Sequence, residues 1–169
     1  MKIRLYGVVR DSIVDGPGLR TAVFVQGCSH HCPGCHNPAS HDPAAGYEAD
    51  TEEILAAMAA NPLCAGLTLS GGEPFEQPGP CLALARGARA LGKGVWAYSG
   101  YTLEKLRAME NEGVHALLEE LDVLVDGPFL LHQRSLDLKF RGSANQRLID
   151  MKKSTPGAIV LWEDPWEKL

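Results

Sequence analysis

The sequence predicts an α/β domain whose parallel strands curl toward a barrel without closing it, an open, partial (β/α)6-type arrangement. Three observations carry this. Apolar runs begin at Leu67, Val95 and Val123, 28 residues apart, the interval of a βα unit. Between the runs the apolar spacing changes to the helical one, so strand and helix alternate, and right-handed crossovers then place the helices outside a parallel sheet. The chain has 169 residues, whereas a complete eight-unit barrel takes about 250. It has room for about six strands, in a single domain over 1–169.

Taken in order, strands are expected near 3–9 and 21–26, where β-branched residues are dense. A helix then starts at Asp50, with Glu53 three residues on to complete a capping box; Ile54, Leu55 and Met58 face inward until Asn61-Pro62. The run Leu67-Thr68-Leu69 is a buried strand, followed by a helix with Leu82, Ala85, Ala88 and Leu91 on one face, stopped by Gly92 and Gly94. Val95 to Tyr98 is the next strand, Leu103, Leu106 and Met109 mark another helix, and Val123 to Val125 is the strand after it. Ala158 to Leu161 reads as a late strand, and residues 162–169 as a short surface tail.

With 45% hydrophobic and 22% charged residues, the composition is that of an ordinary globular core. The net charge of −5 gives no electrostatic reason to expect nucleic acid as a partner. No stretch approaches the roughly 18 apolar residues of a membrane span, and the first residues lack the apolar core of a signal peptide. No membrane partner is expected, and the protein reads as cytoplasmic.

The cysteines say more. Of five, Cys28, Cys32 and Cys35 form Cys-x3-Cys-x2-Cys, a poor disulfide framework. Thiolates this close repel unless a cation or cluster neutralises them, so the spacing points to a metal centre. One reading is a zinc knuckle completed by His36, Cys64 or Cys81, since structural zinc takes four protein ligands. The other is an iron-sulfur cluster with three protein ligands and one open position. The loop follows a predicted strand end, where α/β proteins bind small ligands. Cys64 and Cys81 stand singly, as small core hydrophobes do.

A second turn, Ser70-Gly71-Gly72-Glu73-Pro74, follows the strand at Leu67; its glycines let backbone approach a ligand closely. Ser99 and Asp126 end the next two strands, where either could bond a ribose or cap a turn. Asp15 and Arg20 lie in Val14-Asp15-Gly16-Pro17-Gly18-Leu19-Arg20, ahead of the cysteines. The polar run Phe140-Arg141-Gly142-Ser143-Ala144-Asn145-Gln146-Arg147 reads as a solvated loop or a docking element.

The cysteine spacing resembles the cluster motif of the radical S-adenosylmethionine superfamily. Gly34, where an aromatic residue is usual, and the Cys-Pro-Gly-Cys-His-Asn that contains it resemble the glycyl-radical-activating branch. With Asp-Gly-Pro-Gly-x-Arg, Ser-Gly-Gly-Glu-Pro, Asp-Val-Leu-Val-Asp-Gly and Phe-Arg-Gly-Ser-x-Asn-Gln-Arg, the likeness over residues 7 to about 150 is to the family that activates anaerobic ribonucleoside-triphosphate reductase. The resemblance implies the trimmed barrel of that superfamily. It implies that Cys28, Cys32 and Cys35 hold a [4Fe-4S] cluster whose fourth iron is chelated by S-adenosylmethionine. Gly34, His36, Gly71, Gly72, Glu73, Ser99 and Asp126 would then form the cofactor site. An electron from flavodoxin or a similar donor would cleave the cofactor to methionine and a 5'-deoxyadenosyl radical, which takes a hydrogen from a glycine of the reductase. Two alternatives stand beside this: activation of another glycyl-radical enzyme, such as a pyruvate formate-lyase, and a non-catalytic zinc or iron-sulfur module.

Overall fold

The computed structural model describes residues 1–168. Seven strands form one open sheet: β1 (Lys2–Ser12), β2 (Arg20–Val25), β3 (Tyr47–Asp50), β4 (Gly66–Gly71), β5 (Gly94–Tyr98), β6 (Val123–Asp126) and β7 (Arg147–Asp150), in the order β3-β1-β2-β4-β5-β6-β7. Helices α1 (Thr51–Ala59), α2 (Pro78–Ala90), α3 (Leu103–Ala108) and α4 (Glu112–Glu119) connect them.

The centre of the sheet is parallel, from β2 through β4 and β5 to β6. The constant interval in the sequence becomes register there: Leu67 pairs with Val95, and Val123 with Trp96, one position farther on. The edges depart from the expected all-parallel sheet. β1 runs antiparallel to β2 and to β3, and β7 antiparallel to β6. The link 13–19 is too short for the crossover of a dozen or more residues that parallel neighbours need, so β1 and β2 fold back on each other. Seven strands thus replace the six expected; β3 and β7 are the additions. The segment 158–161 forms no regular strand and contributes isolated bridges, Ala158 to Thr155 and Leu161 to Ile149.

The helices pack on one core. Alternate residues Val23, Val25, Leu67, Leu69, Val95 and Ala97 of the central strands meet Ile54, Met58, Leu84, Leu103, Leu106, Leu117 and Leu118 in a single buried cluster. The inward face of α2 is Cys81, Leu84, Ala85 and Ala88, while Leu91 is 40% exposed. Counting Cys81 as a small hydrophobe gives the i, i+3, i+4, i+7 pattern that the choice of Leu82 missed. Asp50 does precede α1, but its carboxylate makes no cap; it accepts from the Met1 ammonium and Lys2 Nζ at 3.0 and 2.9 Å. Helix α4 has a true cap, with Asn111 Oδ1 accepting from Val114 N–H at 3.1 Å.

The opposite face of the sheet carries Phe24, Ser70 and Tyr98 toward a cavity, and Trp96 toward a second, aromatic cluster. Trp162 stacks edge-on to Trp96 with centroids 4.9 Å apart, and its N–H donates to the Leu148 carbonyl at 2.7 Å. Asp164, buried, pairs with Lys139. The expected surface tail is therefore tied down over its first residues; Leu169 lies outside the described residues.

Candidate functional site

The carboxyl ends of β2, β4, β5 and β6 open onto one cavity of about 270 Å3. Such ends collect ligand-binding loops in α/β folds because each strand delivers its following loop to the same edge. Cys28, Cys32 and Cys35 line it from the loop after β2, Gly71 and Gly72 from the turn after β4, Ser99 and Gly100 from the turn after β5, and Gly127 from the turn after β6.

The cysteine loop is held by backbone. Gly27 N–H donates to Ser40 at 2.7 Å, Cys28 N–H to His41 at 3.1 Å and Cys35 N–H to Cys32 at 3.1 Å, while Asn37 N–H points at Cys35 Sγ, 3.5 Å away. Gly34 takes φ +75°, in the left-handed region, and this accounts for glycine at the position; Leu131, whose exposed side chain can shift, lies beside it. Gly34 itself does not line the cavity, whereas His36 does, edge-on to Phe129 at 5.2 Å. Burial pushes the Cys28 thiol up to about 11, so a cation or cluster is needed to hold the thiolate at neutral pH.

The Gly-Gly-Glu turn is laced to the cysteine loop. Gly72 N–H donates to Val25 at 2.7 Å and Glu73 N–H to Gly27 at 2.8 Å. Gly71 has φ +90°, and a Cβ on it would lie 2.6 Å from Phe24 Cα, so no side chain fits. Glu73 is fully buried. Its Oε1 accepts from His30 Nε2 at 2.7 Å, Ser99 Oγ at 3.0 Å and Gly100 N–H at 2.8 Å, and Oε2 from Phe75 N–H at 3.1 Å. One carboxylate thus ties together the cysteine loop, its own turn and the turn after β5. The bond to Glu73 raises the His30 pKa above its ordinary value, against the opposing effect of burial.

Ser99 lines the cavity, and its hydroxyl also accepts from Tyr101 N–H at 3.0 Å. Asp126 is buried behind Gly127; its carboxylate accepts from Leu103 N–H at 2.8 Å, at the start of α3, and from Arg147 Nε at 2.9 Å. Arg147 continues to Glu104, 2.7 Å away. The bonds of Ser99 and Asp126 are those of turn and helix caps. Asp15 lines the cavity as well, and Arg20 is buried, donating to Thr68 Oγ1 and the Leu67 carbonyl at 2.9 Å each.

The run 140–147 is an ordered cap. Gln146 Oε1 accepts from Gly142 and Ser143 N–H at 3.0 and 3.2 Å, Gln146 Nε2 donates to Gly127 at 3.1 Å, and Arg141 Nη1 donates to the Gln146 carbonyl at 2.6 Å. Gln146 and Gly142 line the cavity. Sequence reasoning missed Phe24, Tyr98 and His41 as lining residues. Strand alternation carried a signal for the first two: they and Ser70 share the parity opposite to the core residues.

Three free cysteines, Cys28, Cys32 and Cys35, line the cavity, the donor chemistry that an iron-sulfur cluster takes. Cys64 and Cys81 are buried in the helix-side core, where Cys64 donates to the Gly66 carbonyl at 3.4 Å, so neither serves as a fourth ligand at the cavity. Among the described residues no three His, Cys, Asp or Glu side chains are gathered closely enough to hold a single metal ion. No helix is long and apolar enough to cross a membrane among the described residues.

Comparison with known proteins agrees with this chemistry. The family described as a 4Fe-4S single cluster domain matches residues 14–149. The anaerobic ribonucleoside-triphosphate reductase-activating protein of Vibrio cholerae serotype O1 is 37% identical over 142 residues, covering 79% of this chain and 89% of that protein. Its counterpart in Escherichia coli K12 is 34% identical over 142 residues, covering 79% and 90%, and that of Enterobacteria phage T4 is 33% identical over 144 residues, covering 80% and 86%. At these identities and this coverage the chain belongs to the anaerobic ribonucleoside-triphosphate reductase-activating proteins, radical S-adenosylmethionine enzymes with a 4Fe-4S cluster domain.

Proposed function

We propose that this chain, in the cytoplasm, generates a glycyl radical on an anaerobic ribonucleoside-triphosphate reductase, taking one electron from flavodoxin or a similar donor. One observation carries the reading: Cys28, Cys32 and Cys35 share a cavity with the glycine turns that end β4 and β5. When bound, a [4Fe-4S] cluster on these thiolates and S-adenosylmethionine supply the radical chemistry that no side chain can.

The chain's own residues supply position. Gly71 and Gly72 line the cavity where the zwitterionic end of the cofactor would lie, their missing side chains letting the turn pack flush on Phe24 and Gly27. Glu73 locks that turn to the cysteine loop. His36 and Phe129 form an aromatic wall suited to the adenine, and Ser99 lines the same cavity with its hydroxyl donating to Glu73. Asp126 orients the adjacent turn through Leu103 and Arg147, and Gly34 gives the cysteine loop its left-handed turn at φ +75°. Helices on one face of the sheet and the site on the other support a partial barrel, open so that a glycine of another polypeptide can reach the cavity.

The test is anaerobic reconstitution with iron and sulfide, reduction, and addition of S-adenosylmethionine. Iron and sulfide in the proportions of one cubane, with methionine and 5'-deoxyadenosine released, are expected. One zinc per chain without sulfide contradicts the reading.

A further inference from the structure

Among the described residues, two buried side-chain polar atoms lack a hydrogen-bond partner, Gln26 Oε1 and His41 Nε2. Both belong to one clasp. Gln26 Nε2 donates to the Ala39 carbonyl at 2.9 Å and to the Asp42 carbonyl at 2.7 Å, on either side of His41. Gly27 N–H holds Ser40, and Cys28 N–H holds the His41 carbonyl itself. The segment 39–42 is therefore pinned at four points to the strand end that carries the first cysteine. The His41 ring packs edge-on to His31 at 5.2 Å and lines the same cavity as Cys28, Cys32 and Cys35.

A buried polar atom without a partner is costly, and holding its segment at four backbone carbonyls is hard to account for unless something bonds it. The cavity supplies sulfur. We propose that His41 is a positioning residue for the cluster, its Nε2–H donating to a cluster or thiolate sulfur and thereby raising the reduction potential. This rests on the reading of the three cysteines as cluster ligands. The physical basis is that reduction adds negative charge to the cluster, so a donor aimed at its sulfur favours the reduced form; hydrogen bonds to the sulfurs are among the determinants of cluster potential.

The experiment compares full-length wild type, His41→Phe and His41→Gln, each reconstituted anaerobically and titrated with a redox mediator under absorbance and electron spin resonance. Phe keeps the ring packing and removes the donor; Gln keeps an N–H donor at similar reach. At a fixed poise His41→Phe should hold up to tenfold less reduced relative to oxidised cluster, equivalent to 59 mV for one electron, and His41→Gln should recover most of the difference. Equal potentials for wild type and His41→Phe overturn the proposal, as do equal losses in both variants, which indicate packing alone. Wild type and His41→Gln are also labelled with 15N-histidine and read by pulsed resonance of the reduced cluster, which keeps the test intact if His41→Phe does not load. A weak nitrogen coupling that diminishes from wild type to His41→Gln is expected; an equal coupling in both, its absence from wild type, or the strong coupling of a nitrogen bound to iron overturns the proposal. A wild-type protein that takes up no cluster overturns the cysteine reading as well, whereas a loaded wild type matched by His41→Phe overturns this inference alone.

Discussion

Replacing Glu73 by Gln alters one atom at the point where three loops meet. Oε1 of the native carboxylate faces Gly100 N–H, and Oε2 faces Phe75 N–H. Whichever way a Gln amide is turned, its NH2 meets one of these backbone donors, and a buried N–H loses its acceptor. With no exposed surface on Glu73 to admit water, the penalty is about 1–3 kcal/mol. At about 2–4 °C per kcal/mol for a chain of this length, the midpoint of thermal unfolding should fall by roughly 2–12 °C. Urea unfolding gives the free energy directly, read by tryptophan fluorescence, to which the buried Trp96 contributes. S-adenosylmethionine affinity, measured on the loaded protein, should fall alongside stability because the Gly71-Gly72 turn loses its anchor. A stability within about 0.5 kcal/mol of wild type, the range of an ordinary surface change, would refute the anchoring role. Lost affinity at unchanged stability would instead make Glu73 a direct cofactor contact.

Other outcomes follow from the same geometry. Cys28→Ala, Cys32→Ala and Cys35→Ala should each abolish cluster uptake, whereas Cys64→Ala and Cys81→Ala should keep it and lose about 1 kcal/mol of stability; iron and sulfide analysis with urea titration separates the two groups. Gly71→Ala should cost at least about 1–3 kcal/mol, because φ +90° is strained for alanine and the added methyl meets Phe24 backbone, and a variant as stable as wild type contradicts the turn geometry. Arg147 holds the Glu104 carboxyl below its usual range, so this pair stabilises the fold above the ordinary glutamate pKa and the contribution is lost as pH falls through the lowered value. Glu104→Gln should accordingly flatten the acid limb of stability below the ordinary glutamate range; an unchanged limb counts against the pair.

The parallel centre of the fold was legible because its strands announce themselves twice, by β-branched runs and by equal spacing. The edges were harder to read. Tyr47–Asp50 shows no apolar run, being an exposed edge strand, and Arg147–Asp150 follows a polar loop that masks it. The short link after Ser12 could have revealed the antiparallel β1–β2 pair. At the site, the cysteines and glycine turns were legible because their chemistry is local in sequence. The Glu73 network joins residues 30, 73, 75, 99 and 100, brought together only by the sheet order, and no local pattern encodes it. His41 was invisible for a similar reason: its meaning lies in an unpaired atom, which exists only once the surroundings are folded.

The central claim is that this chain makes a glycyl radical on another polypeptide. Loaded, reduced protein is mixed anaerobically with S-adenosylmethionine and an anaerobic ribonucleoside-triphosphate reductase, and the mixture is read by electron spin resonance. A glycyl radical doublet is expected on the reductase, requiring Cys28, Cys32 and Cys35 and collapsing to a singlet when the target glycine carries deuterium at its α-carbon. S-adenosylmethionine cleavage in the complete mixture with no such signal, across several reductases, would contradict it.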